Sequence, residues 1–282
     1  MLRLRQRAAG TNRFIQPCNI PIYEVKILCK IEGMIKLGQL PLNGLPRIAV
    51  GFTDQTSLTT IRNAKKHGLD IVELRIDQYG SFDKRYVLKE LKKFKGTPTI
   101  ATIRSKTEGG AWNLSEAERL SLFKAVIPEV NAIDIELSSK TIIKELVQTA
   151  HRAKKLVFIS YHNFEGTPEV PQLNKIANKA KTLGADVVKI ATLVWKREDI
   201  RKLSLFTLSN APKNLITIGM GPNGVISRIL FPALGSLITY ASLGKPTAPG
   251  QLDYHTTFEL LRKLYPKFNQ EKIQSLKILE AF

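Results

Sequence analysis

Cysteine is nearly missing from this chain. Of 282 residues only Cys18 and Cys29 are cysteines, and both lie in the first 30. The remainder can build neither a disulfide framework nor a cysteine zinc cluster, which suits a reducing, cytoplasmic-type compartment. Long apolar runs are missing too, since none reaches the roughly 20 residues that a membrane helix needs. The 43% hydrophobic and 24% charged composition is that of a soluble globular protein. No glycine-rich phosphate turn follows an early strand, which argues against a doubly wound dinucleotide-binding sheet. Acid is scarce beside base, 24 residues against 43, for a net charge of +19. No zinc-finger spacing and no aromatic-interleaved RNA motif accompany that surplus. Most of the lysines stand singly on helical faces, as at Lys89, Lys92, Lys93 and Lys95. The surplus reads as a solvated surface that draws in a small anion, with no nucleic-acid partner and no membrane.

Two regions differ in character. Residues 1–45 hold seven basic and two acidic residues, with Arg3, Arg5, Arg7 and Arg13 ahead of the first acid, and the stretch runs out at Gly44 and Pro46. It reads as a basic N-terminal extension: a targeting segment, a disordered arm, or translation from an upstream start. It lacks the apolar core of a secretory signal. Residues 46–282 read as the catalytic domain. Apolar strands are expected at 47–52, 70–77, 99–104, 132–137, 155–161, 184–192, 215–219 and 237–241, with helical segments between them. Gly68 is placed to end the first helix, and Ser115 with Glu118 forms a capping box for a later one. Eight strands alternating with helices at a spacing of roughly 22 to 32 residues predict a single (β/α)8 TIM barrel.

The stretch Ala185-Asp186-Val187-Val188-Lys189-Ile190-Ala191 puts one lysine inside a buried strand. Burial disfavours an ammonium, and a neutral amine is the nucleophile that forms a Schiff base with a ketone. In a barrel the chemistry sits at the C-terminal ends of the strands. There the second strand supplies Glu73 and Arg75 on one face, the third Arg104 with Glu108 in the following loop, and the fifth His162. The last two loops supply Ser227-Arg228 and Ala248-Pro249-Gly250-Gln251. Taken singly, each has a structural explanation: Glu73 and Arg75 as an ion pair, Asp77 as a turn residue, His162 as a satisfied loop histidine. Their convergence on one rim points to a site for an anionic carbonyl compound.

Together these pieces resemble type I 3-dehydroquinate dehydratase, an enzyme of the shikimate pathway to chorismate and aromatic amino acids. The matching segments are Val72–Asp77, Thr102–Gly110, Ile133–Leu137, Ser160–Phe164, Val188–Ala191, Met220-Gly221 with Ser227-Arg228, and Ala248–Gln251. They span about residues 46–255, in the family's order. The resemblance implies that Lys189 forms an imine with the C3 ketone of 3-dehydroquinate. It implies that His162 takes the C2 proton and returns one to the departing C1 hydroxyl, with Glu108 orienting it. Arg228 would grip the substrate carboxylate, and Glu73, Arg75, Arg104, Thr247 and Gln251 the rest of the ring. Syn elimination of water would give 3-dehydroshikimate, with no metal or organic cofactor. A cytoplasmic homodimer is expected. Nearby arginines are expected to keep Lys189 deprotonated, and His162, titrating near neutrality, to serve as base and then acid. Two positions depart from the family: Thr247 stands where serine is expected, and Gly51 cannot make the substrate contact that a serine there makes in some members. Two rival readings share the lysine or the charge. One is another Schiff-base barrel such as a class I aldolase, in which Arg228 serves a phosphate. The other is a barrel that has lost catalysis and binds anions or nucleic acid.

Overall fold

The structure is a computed structural model, and it describes residues 34–244 and 248–280. The chain first forms a small antiparallel hairpin, β1 (Lys36–Leu37) and β2 (Leu40–Pro41). Eight parallel strands follow: β3 (Arg47–Phe52), β4 (Ile71–Arg75), β5 (Thr99–Thr102), β6 (Ala132–Glu136), β7 (Leu156–Asn163), β8 (Val187–Leu193), β9 (Leu215–Met220) and β10 (Ile238–Ala241). Neighbours in sequence are neighbours in the sheet from β3 to β9, and β10 returns to pair with β3. The seam between β9 and β10 is joined at one bridge, Leu215 with Ser236, and by the Leu237 N–H donating to the Leu215 carbonyl at 2.8 Å. This is the expected (β/α)8 barrel.

Local signals set the helix ends. The first helix, α1 (Leu58–Lys66), starts at the Ser57 cap and gives way to Gly68 at φ +82°, a conformation that costs glycine little. Next, α2 (Lys84–Leu91) is capped by Asp83, and α3 (Glu116–Val126) carries the capping box of Ser115 and Glu118. The outer layer is completed by α4 (Ile143–Arg152), α5 (Val170–Thr182), α6 (Arg197–Asn210), the single turn α7 (Ser227–Leu230), α8 (Tyr254–Leu264) and α9 (Pro266–Glu280). No described helix is long and apolar enough to cross a membrane.

Strand alternation sorts the side chains. Val72, Leu74, Ile133, Ile135, Val188 and Ile190 face the helices, in one continuous apolar cluster. Ile71, Ile100, Ala132, Phe158, Val187 and Ile216 face inward and fill the lower barrel. Each buried branched or aromatic side chain there contributes about 1.5–3 kcal/mol relative to exposure. Residues 34–45, set apart from the barrel on sequence grounds, carry the hairpin, and Leu37 and Leu42 are fully buried in the same inner cluster. Residues 1–33 lie outside the described residues. Two positions further along the strands, the inward side chains turn polar: Glu73, Thr102, Asp134, Ser160 and Lys189, all buried. A period of two thus turns an apolar floor into a charged chamber within one strand length.

Candidate active site

The charged chamber opens into a cavity of about 280 Å³. Its wall includes Glu73 and Arg75 from β4, Arg104 and Glu108 from the loop after β5, His162 from β7 and Lys189 from β8, with Arg228 from α7, Tyr240 from β10 and Gln251 from the loop after β10. Eight of the nine residues named from the sequence therefore meet at one mouth. Thr247 lies outside the described residues.

Lys189 Nζ is 2.9 Å from Asp134 Oδ2 and 3.1 Å from Glu73 Oε1, and 4.1 Å from the centre of the Tyr240 ring. Burial opposes the ammonium, and Arg104 repels it, but Asp134 and Glu73 outweigh both and raise its pKa above the ordinary lysine value. This corrects the expectation that neighbouring arginines leave Lys189 neutral. In the free enzyme the amine is charged and held by two carboxylates.

Arg104 organises the other side. Its Nη2 donates to Asp134 Oδ1 at 2.9 Å, and its Nη1 donates to Glu136 Oε1 at 2.9 Å and to Ser160 Oγ at 2.7 Å. Glu136 is held in turn by the fully buried Arg119, which also donates to the Ile103 carbonyl at 2.7 Å and to Ser139 Oγ at 2.9 Å. Glu73 and Arg75 do not pair. Glu73 accepts from Thr102 Oγ1 at 3.0 Å as well as from Lys189, and Arg75 makes a two-pronged bond to Asp77 at 2.8 and 3.0 Å. Asp77, read from sequence as a turn residue, lies in the turn after β4 and also accepts the Ala111 N–H at 3.1 Å, which ties the loop after β5 to that turn.

Glu108 Oε2 accepts both the backbone N–H and Nδ1 of His162 at 2.9 Å, and its other oxygen accepts from Ser138 Oγ. With Glu108 ionised, Nδ1 carries the hydrogen and Nε2 keeps its lone pair. Burial pushes the Glu108 carboxyl up to about 7, against the Ser138 hydrogen bond. Burial, then the like charges of Arg104 and Lys189, hold His162 well below the ordinary histidine value. The imidazole is therefore a neutral base at pH 7, not a group titrating near it.

Arg228 is 3% exposed, and among the described residues its guanidinium donates to backbone carbonyls, of Gly250 at 2.8 Å, Tyr240 at 3.1 Å and Pro249 at 3.4 Å. Among the described residues no carboxylate pairs with it, and burial alone pushes its pKa down to about 10. A cationic fork with no carboxylate partner among the described residues, at the edge of a cavity, has the chemistry to hold an anion.

The family described as Type I 3-dehydroquinase matches residues 49–267. The 3-dehydroquinate dehydratase of Thermodesulfovibrio yellowstonii is 38% identical over 212 residues, 75% of this chain and 92% of that one. The chain belongs to the type I 3-dehydroquinase family. It is an enzyme, a hydro-lyase. Among solved structures, the 3-dehydroquinate dehydratase of Geobacillus kaustophilus superposes with a TM-score of 0.77 at 27% identity, covering 83% of this chain and 96% of that one. The type I enzyme of Clostridium difficile, solved with covalently modified comenic acid, gives 0.76 at 27% identity, covering 84% and 99%.

Sequence reasoning assigned no place in this charged cluster to Asp134, Glu136, Ser160, Arg119 or Tyr240. A signal existed for the first two. Asp134 and Glu136 are two apart in an otherwise apolar strand, so they share the inward face. Arg119 sits on α3 and reaches Glu136 from the helix layer, and no strand pattern marks it.

Proposed function

We propose that this enzyme removes water from 3-dehydroquinate to give 3-dehydroshikimate through an imine on Lys189, as a step of the shikimate pathway. The observation that carries the reading is a primary amine, Lys189, lining the same cavity as a neutral His162 held by Glu108 and an arginine with no carboxylate partner among the described residues.

Substrate enters with its carboxylate toward Arg228 and its ketone toward Lys189. The ammonium passes a proton to Asp134 or Glu73, the only acids within hydrogen-bond reach of it among the described residues. The freed amine adds to the carbonyl carbon, and the carbonyl oxygen departs as water. The resulting iminium draws electrons from the adjacent C–H bond. Nε2 of His162 takes that proton, because its basic lone pair is free while Glu108 supports the imidazolium that forms. The same proton then goes to the leaving C1 hydroxyl, and hydrolysis of the imine releases product and regenerates the ammonium. Glu73, Arg75, Arg104 and Gln251 hold the ring hydroxyls and close the site in this reading, which also counts Thr247 among the substrate-binding residues. It uses no metal or organic cofactor. It extends to a homodimer in the cytoplasm without nucleic acid, and sedimentation of the purified chain tests the dimer.

The test of the chemistry is reduction with borohydride in the presence of 3-dehydroquinate, followed by intact mass and peptide mapping. A reduced adduct on Lys189, absent from Lys189→Ala, is expected. A folded wild-type protein that turns over without any adduct rules the imine out.

A further inference from the structure

The steps above leave one buried polar group of the cavity unused. Tyr240 faces the barrel interior from β10 and is 5% exposed. Its ring centre lies 4.1 Å from Lys189 Nζ, so the ring is a third neighbour of the ammonium beside Glu73 and Asp134. Its hydroxyl is buried with no hydrogen-bond partner among the described residues. Cation–π attraction needs only the ring. Phenylalanine offers that ring without a buried hydroxyl, and an unpaired buried hydroxyl costs stability. Among the described residues no group in hydrogen-bonding geometry offsets that cost.

The imine step supplies the missing partner. When the amine adds to the ketone, an N–C bond forms and the carbonyl oxygen becomes a hydroxyl one bond from the carbon that Nζ attacks. When that C–O bond breaks, the oxygen leaves as water and the nitrogen becomes an iminium. Protons balance internally: of the three on the ammonium, two depart with the water and one stays on nitrogen. Beside the carboxylate oxygens of Asp134 and Glu73, a hydroxyl on the carbon bonded to Nζ thus exists only in the adduct, and a cation exists there before and after it.

We propose that Tyr240 is a positioning residue for imine formation, its ring seating the cationic nitrogen and its hydroxyl bonding to the adduct on Lys189. The proposal rests on the Schiff-base reading. Burial and the nearby carboxylates raise the phenol's pKa above the ordinary tyrosine value, in spite of Lys189, so the hydroxyl keeps its proton and acts as a donor.

Tyr240→Phe isolates the hydroxyl. One hydrogen bond that exists only in the adduct predicts a fall of about three- to tenfold in kcat and in the rate of borohydride trapping. Affinity for the product 3-dehydroshikimate, measured on the Lys189→Ala background where no adduct forms, is expected to be the same with and without the Tyr240→Phe substitution. The melting temperature of Tyr240→Phe is expected to be unchanged or higher, because an unpaired hydroxyl has been removed. Tyr240→Leu, which also loses the ring, is expected to trap more slowly still. Wild-type kcat and trapping in Tyr240→Phe overturn the proposal, as does a lowered melting temperature with kinetics unchanged. If the wild-type protein forms no adduct, the Schiff-base reading fails and this proposal with it.

Discussion

Asp134 and Lys189 offer a direct test of how the chamber is held. Asp134 is fully buried, with one oxygen bonded to Arg104 and Ser160 and the other 2.9 Å from Lys189 Nζ. Asp134→Asn keeps the shape but removes the charge and turns an N–H₂ toward a cation. Breaking one side of a buried ion pair costs about 3–5 kcal/mol. Glu73 still holds Lys189, and Glu136 still holds Arg104, so the lower end, about 3 kcal/mol, is expected. For a body of this size that lowers the melting temperature by roughly 6–12 °C. Lys189→Met leaves Asp134 to Arg104 and Ser160 and is expected to cost a similar amount. The Asp134–Lys189 attraction is lost once in each single variant but only once in the double, so the double variant's loss is expected to fall short of the sum by about 1–2 kcal/mol. Urea unfolding at pH 7 of all four proteins measures this. Losses that add to within about 0.5 kcal/mol would show that the two side chains are not coupled in the folded enzyme. The pH dependence has a definite sign. Asp134 is held well below the usual carboxylate range, chiefly by Arg104 and Lys189 against its burial, so its contribution is lost only as pH falls through that lowered value. Lys189 is raised, so its contribution is lost only in strong alkali. The pair's stabilisation is therefore flat across neutral pH.

Other expectations are independent of that pair. With Glu108 titrating at about 7, kcat/KM is expected to fall as pH drops below 7. Glu108→Gln is expected to lose that acidic limb along with most of its activity; an unchanged profile would assign the limb elsewhere. Because the raised carboxyl is ionised at a cost once pH exceeds about 4.3, Glu108→Gln is also expected to unfold at higher urea than wild type at pH 8. Arg228→Ala is expected to raise KM roughly 10- to 150-fold, the range of a charge-assisted hydrogen bond of about 1.5–3 kcal/mol. An unchanged KM would remove Arg228 from carboxylate binding. A Cβ on Gly110 would lie 2.0 Å from the Arg104 carbonyl oxygen. Gly110→Ala is therefore expected to shift Arg104, cost about 1–3 kcal/mol and lower kcat; wild-type stability would show that the loop yields freely.

The barrel was legible in the sequence because strands buried on both faces must read as apolar runs, and helices between them carry their own caps. Ser115 with Glu118 and the glycine after α1 marked their helix ends from local chemistry alone. Strand-end position also brought Lys189, His162, Glu108 and the arginines to one mouth, since the C-terminal rim follows from the fold. What lay beyond reach was which charges touch. From the arginines placed at the same rim, like-charge repulsion promised a neutral Lys189 amine. The inward face of β6 put Asp134 2.9 Å from the amine, its attraction outweighs Arg104, and the amine is charged. Glu73 and Arg75, neighbours on one strand, found different partners for the same reason. Sequence sets which face of a strand a residue occupies, because alternation is a property of the backbone. Which residues from other strands stand opposite it depends on the stagger of the closed sheet, and protonation depends on those distances and on burial, so both arise only when the barrel closes.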